Sequence, residues 1–484
     1  MARSSTDVVN TRVSLREEMA GGDLGDDRLN ARRDRLIDVL AQSPDVGFPE
    51  ACTSDGEVEA LYRFLRNPRV SLAAVLEPHL VATQQRCRAL DEVLVIHDTT
   101  EFSFAGEHVR TGLTALGPRR QGFWVHAALA VSAEGLRAPL GVLSVLPFVR
   151  KATPVRRPKP PWRARFRDPA KLSRRWPASV TAARARVGEA HRAIHLMDRE
   201  GDSYELLATM VTHGDRFVVR LHYDRRVVPD EAATAPARLR EALPRTDVVI
   251  EREVALSPRR VGAQRTPLLT RHPPRNGRVA TVRFAARQVV LQRPRDHRSP
   301  LPATLTVNVV YGWEVDPPPG ESPVEWSLVT TEPIDTAAQV LQIVDWYRTR
   351  WLIEEFFKCL KTGCAYEKRQ LESLDTLLVA LALLAPIAWQ LLLLRHLARA
   401  LPDAPARVAL TERQLHVLRA TPAGGRLPSQ PTTRDGLLAV ARLGGHLRQN
   451  GEPGWLVLGR GMQKLLRMEA GWAAAEQARR CDQS

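Results

Sequence analysis

The stretch VDWYRTRWLIEEFFKCLKTG, residues 344–363, predicts an amphipathic helix with an unusual polar face. At about 100° per residue, four polar side chains fall within about 60° of one another around the helix axis. They are Tyr347, Arg350, Glu354 and Lys361. The apolar side chains fall on the opposite side, which faces the core. The polar stripe is about 20 Å long at 1.5 Å per residue. It is therefore either an ordinary solvated face or a surface that follows the phosphates of a polymer.

The composition favours a large protein with a polyanionic partner. The chain has 484 residues, which predicts two to four structural units rather than one core. Seventy Lys and Arg residues against 54 Asp and Glu residues give a net charge of +16. Such a charge favours nucleic acid through phosphate contacts and counterion release. An anionic membrane surface is the alternative partner.

Cysteine usage and hydropathy predict a cytoplasmic protein without a membrane span. The five cysteines include no CxxC pair, which argues against a disulfide framework and a zinc finger. Residues 1–19 contain no apolar core of a secretory signal. The segment LLVALALLAPIAWQLLLL, residues 377–394, is nearly long enough to span a bilayer. Because it contains Pro386 and Gln390, we interpret it as a helix buried on all sides.

The first ninety residues predict a small helical module. A first helix after Asp26 or Asp27 is rich in arginine, a second follows a Gly/Pro loop, and a third is expected to be interrupted at Pro78. A basic helical module of this kind suggests DNA binding. A structural cap is the alternative.

From Glu92 onward the pattern is that of an α/β domain. The strand EVLVIH is expected to end at Asp98, and two further strands form a hairpin. After a basic loop at 149–175, a helix leads to the strand AIHLM, which ends at Asp198, and another helix leads to the strand RFVVRL. Residues 223–323 predict a β-rich insertion with its own sheet. A returning strand then precedes a long helix that opens at Ile334.

Three acids occupy positions that suit catalysis on phosphates. Asp98 and Asp198 follow apolar strands, and Glu354 lies on the polar stripe of the long helix. This order of elements describes a ribonuclease-H-like core, in which acids at neighbouring strand ends and on a packed helix converge. Three carboxylates suit Mg²⁺ or Mn²⁺, and two such ions can promote in-line displacement at phosphorus. The alternative for each Asp is that it only caps a turn.

Three sequence signatures carry a resemblance to a known family. IHDTTEFSF, LMDREGDSYELL and the series Y-x2-R-x3-E-x6-K resemble those of bacterial cut-and-paste DDE transposases. The match is to the insertion-sequence-four family, the Tn-five-like enzymes. GDDRLNARRDRL resembles the family's amino-terminal DNA-binding domain, and RLGGHLRQNGEPGWLVLGRGMQKL resembles its carboxy-terminal region.

The resemblance implies four parts. Residues 1–90 would be a helical DNA-binding domain, and residues 91–222 with 324–375 a ribonuclease-H-like catalytic core. Residues 223–323 would be the β-rich insertion, and residues 376–484 a helical dimerisation region.

The resemblance also assigns roles to individual residues. The acids Asp98, Asp198 and Glu354 would hold two Mg²⁺ ions, which Mn²⁺ could replace. The phosphates of the element end would be bound by Tyr347, Arg350 and Lys361, together with Arg220 of the strand RFVVRL. The aromatic residues Trp326 and Trp351 match positions that hold a base flipped out of the duplex. Ordinary core packing is the alternative for both tryptophans.

The expected reaction is DNA transposition by a homodimer. The enzyme would bind inverted-repeat ends, nick them with water, and use the freed 3′-hydroxyl to form a hairpin. A second water would open the hairpin before the end joins target DNA. The expected location is the bacterial cytoplasm, in association with the nucleoid and not with a membrane. Two alternatives stay open: a nuclease that cuts without joining, and a domesticated DNA-binding protein that has lost catalysis.

Overall fold

The chain forms two compact units, each of which contains β-strands and helices. The computed structural model describes residues 15–41, 47–149, 172–188, 192–228, 238–243, 248–256, 258, 275–295, 301–321, 323–422 and 427–482. Unit 1 consists of Met1–Lys159, Thr181–Gly188 and Trp351–Ser484, and unit 2 of Pro160–Val180 and Glu189–Arg350. Most of the basic loop predicted at 149–175 lies outside the described residues. The four-part domain division stays a prediction.

The amino-terminal part of unit 1 is helical, as the sequence predicted. Its helices are α1 Leu15–Glu18, α2 Asp27–Ala41, α3 Phe48–Ala51, α4 Asp55–Leu65 and α5 Leu72–Arg88. Ser54 and Ser71 cap α4 and α5 by accepting hydrogen bonds from backbone N–H groups. The interruption predicted at Pro78 is wrong, since α5 continues through it. The Pro78 ring is buried against Gly22, where an added Cβ would lie only 2.4 Å from the ring's Cγ.

A buried charge network joins α1 to α5. The carboxylate of Glu18 accepts hydrogen bonds of 2.7 and 2.8 Å from Arg86 and lies 2.6 Å from Nδ1 of His79. The backbone N–H of Val142 donates to Nε2 of His79, so His79 carries its proton on Nδ1 and donates to Glu18. The Arg86 guanidinium stacks 4.3 Å from the ring centroid of Trp389. The network fixes α1 against the core of unit 1.

The sheet of unit 1 is antiparallel. Its strands are β1 Val93–Ala105, β2 Thr114–Gly117, β3 Arg120–Ser132 and β4 Pro139–Phe148. β3 pairs with β1 along its whole length, and with β2 and β4 on its other side. The predicted end of the first strand at Asp98 is wrong, because β1 continues for seven residues to Ala105. Beyond Asp98 half-buried and buried positions alternate as far as Phe104, as in a strand with one covered face.

Unit 2 contains six consecutively paired β-strands. Helix α6, Arg175–Val187, is divided between the units, since its residues from Thr181 onward are assigned to unit 1. The other elements of unit 2 are β5 Ala193–Met197, α7 Tyr204–Thr212, β6 Arg216–Arg220, α8 Leu239–Ala242, β7 Val248–Leu256, β8 Arg278–Gln292, β9 Thr304–Glu314, β10 Glu325–Thr330 and α9 Ala337–Thr349. The strand order is β5-β6-β10-β9-β8-β7, with β5 and β6 parallel and the other pairs antiparallel. The insertion was predicted to have its own sheet, which is wrong. Its strand β9 pairs with all of β10 and so continues the sheet outward.

Two local features fix the chain around this sheet. The buried Asp202 accepts hydrogen bonds from the backbone N–H groups of His222 and Tyr223 and pairs with the buried Arg225. Helix α9 begins at Ala337 and not at Ile334, because Thr336 and Gln339 form a capping box there.

The carboxy-terminal part of unit 1 is helical. Its helices are α10 Trp351–Lys358, α11 Leu374–Ala400, α12 Glu412–Arg419, α13 Thr433–Leu443 and α14 Trp455–Asp482. By length and composition α11 is apolar enough to cross a membrane, but 89% of its most apolar window is buried inside the protein. The prediction of a buried helix at 377–394 is therefore confirmed.

Candidate active site

The long helix predicted across residues 344–363 is interrupted in the structure. α9 ends at Thr349, and the N–H of Arg350 bonds to the carbonyl of Tyr347, three residues back. After α10, residues Cys359–Gly363 form a π-helical turn, closed by the N–H of Cys364 donating to the Cys359 carbonyl at 2.9 Å. The prediction of a single helix with a constant turn angle is therefore wrong. Tyr347 and Arg350 belong to unit 2, whereas Glu354 and Lys361 belong to unit 1.

In unit 2, Asp198 stands directly after strand β5, as predicted. Its carboxylate accepts a 2.9 Å hydrogen bond from the N–H of Glu200 and caps the short 3₁₀ turn Arg199–Gly201. The side chain is only half-buried. Asp198 therefore acts as a turn cap while keeping part of its carboxylate accessible.

Tyr347 lies close to several of the other predicted residues of unit 2. It is buried, with 8% of its surface exposed, and so does not lie on a solvated stripe. Burial raises the pKa of its phenol, and the nearby Asp198 acts in the same direction, while Arg350 and Arg220 oppose them. Tyr347 is therefore a neutral hydrogen-bonding group beside one carboxylate and two guanidinium groups.

The positive charge around Asp198 exceeds its own negative charge. Arg220 ends strand β6 and donates weakly to the Glu325 carbonyl at 3.4 Å. Its Nε is buried and has no hydrogen-bond partner in the described part of the chain. Burial, followed by the charge of Arg220, lowers the pKa of Arg199. Sequence reasoning missed Arg199, although its position directly after Asp198 was a usable signal. This arrangement of guanidinium groups suits an anion such as a phosphate.

The two predicted tryptophans have different surroundings. The ring of Trp326 is half-buried, with centroids 6.0 Å from Phe284 and 6.4 Å from Tyr347. Trp351 is 53% exposed, and the Lys358 ammonium lies over its ring, 4.8 Å from the centroid. Trp326 thus has a packing role in unit 2, whereas Trp351 presents an accessible aromatic face.

In unit 1, Asp98 and Glu354 lie on elements that pack together. Asp98 is half-buried in the middle of β1 and accepts a 2.7 Å hydrogen bond from the N–H of Thr99. Glu354 is half-buried on α10, which packs against β1. The neighbouring Glu355 instead has a structural role, because it pairs with Lys358 and Arg395.

Lys361 also lies near β1. Its ammonium group is 5.6 Å from the ring centroid of Phe102, four residues beyond Asp98 on the same strand. Burial lowers the pKa of Lys361, while Glu367 and Glu101 oppose the shift. Lys361 is therefore a partly desolvated cation close to the strand that carries Asp98.

The chemistry of the three acids fits a hard divalent cation. Asp98, Asp198 and Glu354 are half-buried carboxylates, and oxygen ligands of this type suit Mg²⁺ or Mn²⁺. Among the residues that the structure describes, no group of three or more His, Cys, Asp or Glu side chains could hold a metal ion. The convergence of the three acids on one metal site stays a prediction.

Comparison with known proteins gives two matches to protein families. Residues 13–70 match the family described as Transposase DNA-binding, and residues 173–389 match the Transposase DDE domain. These two domains indicate a DDE transposase. The DDE match includes Asp198 and Glu354 and begins after Asp98. DDE transposase domains generally use divalent metal ions, and the mixed α/β architecture is consistent with the ribonuclease-H-like fold of transposases.

Among solved structures, the chain is similar to a transposase. This is the piggyBac transposase in the cryo-EM structure of its synaptic complex with hairpin DNA. The sequence identity is 9% and the TM-score is 0.35. The similarity covers 77% of this chain and 66% of the piggyBac chain, less than two thirds of its length.

Proposed function

We propose that this DDE transposase moves an insertion sequence of the insertion-sequence-four type by cut-and-paste transposition. It binds inverted repeats at the element ends, cleaves the DNA there and joins the ends to target DNA. The observation that carries the proposal is the DDE domain match, within which Asp198 lies among Arg220, Tyr347 and Arg350.

Each predicted site residue has a distinct part in this proposal. Asp98, Asp198 and Glu354 would hold two Mg²⁺ ions, or Mn²⁺ in their place. When bound, such ions activate the attacking oxygen and stabilise the leaving oxygen in phosphoryl transfer.

The basic and phenolic groups position the DNA strand. The guanidinium groups of Arg220 and Arg350 bind phosphate oxygens beside Asp198, and the neutral phenol of Tyr347 donates a hydrogen bond to one of them. Lys361 contributes a positive charge from the side of β1. Because burial already desolvates Tyr347 and Lys361, their interactions with phosphate are stronger than those of fully solvated groups.

Trp351 supports the hairpin route. A strand that turns back on itself at a duplex end must unstack a base, and stacking on an aromatic ring recovers about 1–3 kcal/mol. The exposed face of Trp351 can take this base. Trp326 packs against Phe284 and Tyr347, and its role in holding a flipped base stays a prediction beside that of Trp351.

The partners follow from the same proposal. The helical region at 1–90 recognises double-stranded DNA at the element ends, and the region at 376–484 holds two copies together in a synaptic homodimer. The protein acts in the bacterial cytoplasm, at the nucleoid. A nuclease on the same core would cut without joining, and a domesticated protein would bind without cutting.

The test is a Mg²⁺-dependent assay on a labelled linear duplex that carries the element's own end, read on a denaturing gel. The wild type should give a hairpin and joined products. Asp98→Ala, Asp198→Ala and Glu354→Ala should each abolish cleavage while end binding, measured by mobility shift, stays within about twofold of the wild type.

A matched control is Glu412→Ala, which removes an exposed acid from α12 and should cut normally. Normal cleavage by any of the three acid variants would contradict the three-acid assignment. Cutting by the wild type without joined product would favour the nuclease. Binding without any cutting would favour the domesticated protein.

A further inference from the structure

Unit 1 contains a basic cavity that none of the roles above uses. Its volume is about 520 Å³, within the range of cavities that bind small ligands and cofactors. The charged and amide side chains that line it are Glu50, Lys368, Arg369, Arg460, Gln463 and Lys464. Four cationic groups thus face one carboxylate. None of these side chains belongs to the predicted catalytic or DNA-binding set.

Contacts within unit 1 hold Arg369, which lines the cavity, in a fixed position. Arg369 is only 2% exposed, donates a 2.9 Å hydrogen bond to the Cys364 carbonyl, and stacks 4.7 Å from the ring centroid of Phe48. The turn that presents it begins at Ala365, a non-glycine residue with a left-handed φ of 46°. Such a conformation costs on the order of 1 kcal/mol and persists only where the surrounding structure holds it.

Two exposed lysines add positive charge at the cavity that nearby acids do not neutralise. Lys368 and Lys464 have no ion pair within the described ranges of the chain. Exposed arginines elsewhere in unit 1 do pair with acids, for example Arg63 with Glu59. On α14, Lys464 also stands four residues after Arg460, a like-charge spacing that costs a few tenths of a kcal/mol in a helix. An anion bound between these groups would relieve the repulsion.

We propose that this cavity binds a phosphate group of the DNA backbone. The inference rests on the proposed function, because it assigns part of the DNA-binding surface. Lysine supplies point charges for phosphate, and the fixed guanidinium of Arg369 supplies planar donors. A free phosphate compound would use the same chemistry, so the experiment must separate the two sources.

The experiment measures how DNA affinity depends on salt. One neutralised phosphate contributes about 0.9 to the slope of log K against log salt concentration for duplex DNA. The double variant Lys368→Gln/Lys464→Gln should therefore lower the magnitude of the wild-type slope by about 0.9, on both element-end and unrelated duplexes. Arg479→Gln removes one exposed charge from the same helix and is the control for Lys464→Gln. It should leave the slope unchanged.

An unchanged slope in the double variant, with an unaltered thermal unfolding midpoint, would overturn the proposal. A second arm titrates wild type and double variant with inorganic phosphate and follows the unfolding midpoint. Stabilisation of the wild type alone, combined with an unchanged DNA slope, would assign the cavity to a free anion and also overturn the DNA proposal. The slopes of the wild type and the double variant could differ as expected while the wild type neither cuts nor joins DNA. That result would refute the proposed function and leave this inference intact.

Discussion

The buried network of Glu18, His79 and Arg86 gives a quantitative test of how the amino-terminal helix is held. Glu18→Gln keeps the size of the side chain but removes its charge. One of its two acceptor oxygens is replaced by an amide NH2 group, which cannot accept a hydrogen bond. Oε1 accepts from both Arg86 and His79, so replacing that oxygen removes two of the three hydrogen bonds. Two hydrogen bonds to a charged group, at about 1.5–3 kcal/mol each, amount to about 3–6 kcal/mol, and we expect a loss of about 3–5 kcal/mol of unfolding free energy. The same range is typical when one partner of a buried ion pair is removed.

The pH dependence of this effect has a definite sign. Burial raises the pKa of Glu18, but Arg86 and His79 outweigh it and hold the pKa below its ordinary value of 4.5. A carboxyl with a lowered folded-state pKa stabilises the protein above its unfolded pKa and loses that contribution as the pH falls through its folded pKa. The difference between wild type and Glu18→Gln should be largest at pH 7 and should shrink below about pH 4.5.

Equilibrium urea unfolding of the full chain at pH 7 and at pH 4 would measure both effects. The matched control is Glu17→Gln, an exposed neighbour, which should change the unfolding free energy by no more than about 0.5 kcal/mol. If Glu18→Gln is as mild as this control, or if its effect is the same at all pH values, the network does not stabilise the fold as argued.

Three further predictions concern unit 2 and the aromatic residues. Asp202→Asn leaves the buried Arg225 without its counter-charge and should lower the unfolding free energy by about 3 kcal/mol, measured in urea; a loss below 1 kcal/mol would contradict the reasoning. Trp351→Ala should leave the unfolding free energy nearly unchanged and reduce hairpin formation, measured on a denaturing gel, about tenfold. Trp326→Ala should lower the unfolding free energy by about 2 kcal/mol, and the reverse pattern would exchange the roles of the two tryptophans. Tyr347→Phe keeps the ring packing and should slow end cleavage about tenfold without changing the thermal midpoint, and normal cleavage would restrict Tyr347 to packing.

The regular elements were largely predictable because local patterns specify them. Strand AIHLM and helix SYELLATMVTHG are confirmed as β5 and α7, since an apolar run and a capped amphipathic segment each have one stable conformation. The end of β1 was not predicted correctly, because the polar residues at the start of DTTEFSFA are typical of a turn that ends a strand. Its pairing with β3 through Ala105 is a tertiary effect that supplies the missing hydrogen bonds.

The polar helix shows where pattern reasoning fails for the site. A constant turn of 100° placed Tyr347 on a solvated face, yet packing against Trp326 buries it. The change of register at Arg350 and the π turn at Cys359 have no clear signature in local propensity. The types of residue at the site could be read from their spacing, whereas their burial and their distribution between two units depend on the whole fold.

The division of unit 1 along the chain has a consequence for synthesis on the ribosome. Strand β1 with Asp98 emerges early, but α10 with Glu354, which packs against it, follows about 250 residues later. At about 5–20 residues per second, roughly 10–50 s separate the two events. In unit 1, β1 and α10 cannot pack together until the intervening unit has been translated. A growing or truncated polypeptide that ends before residue 354 therefore carries Asp98 without Glu354, so the acids of unit 1 come together only after the long intervening segment has been made.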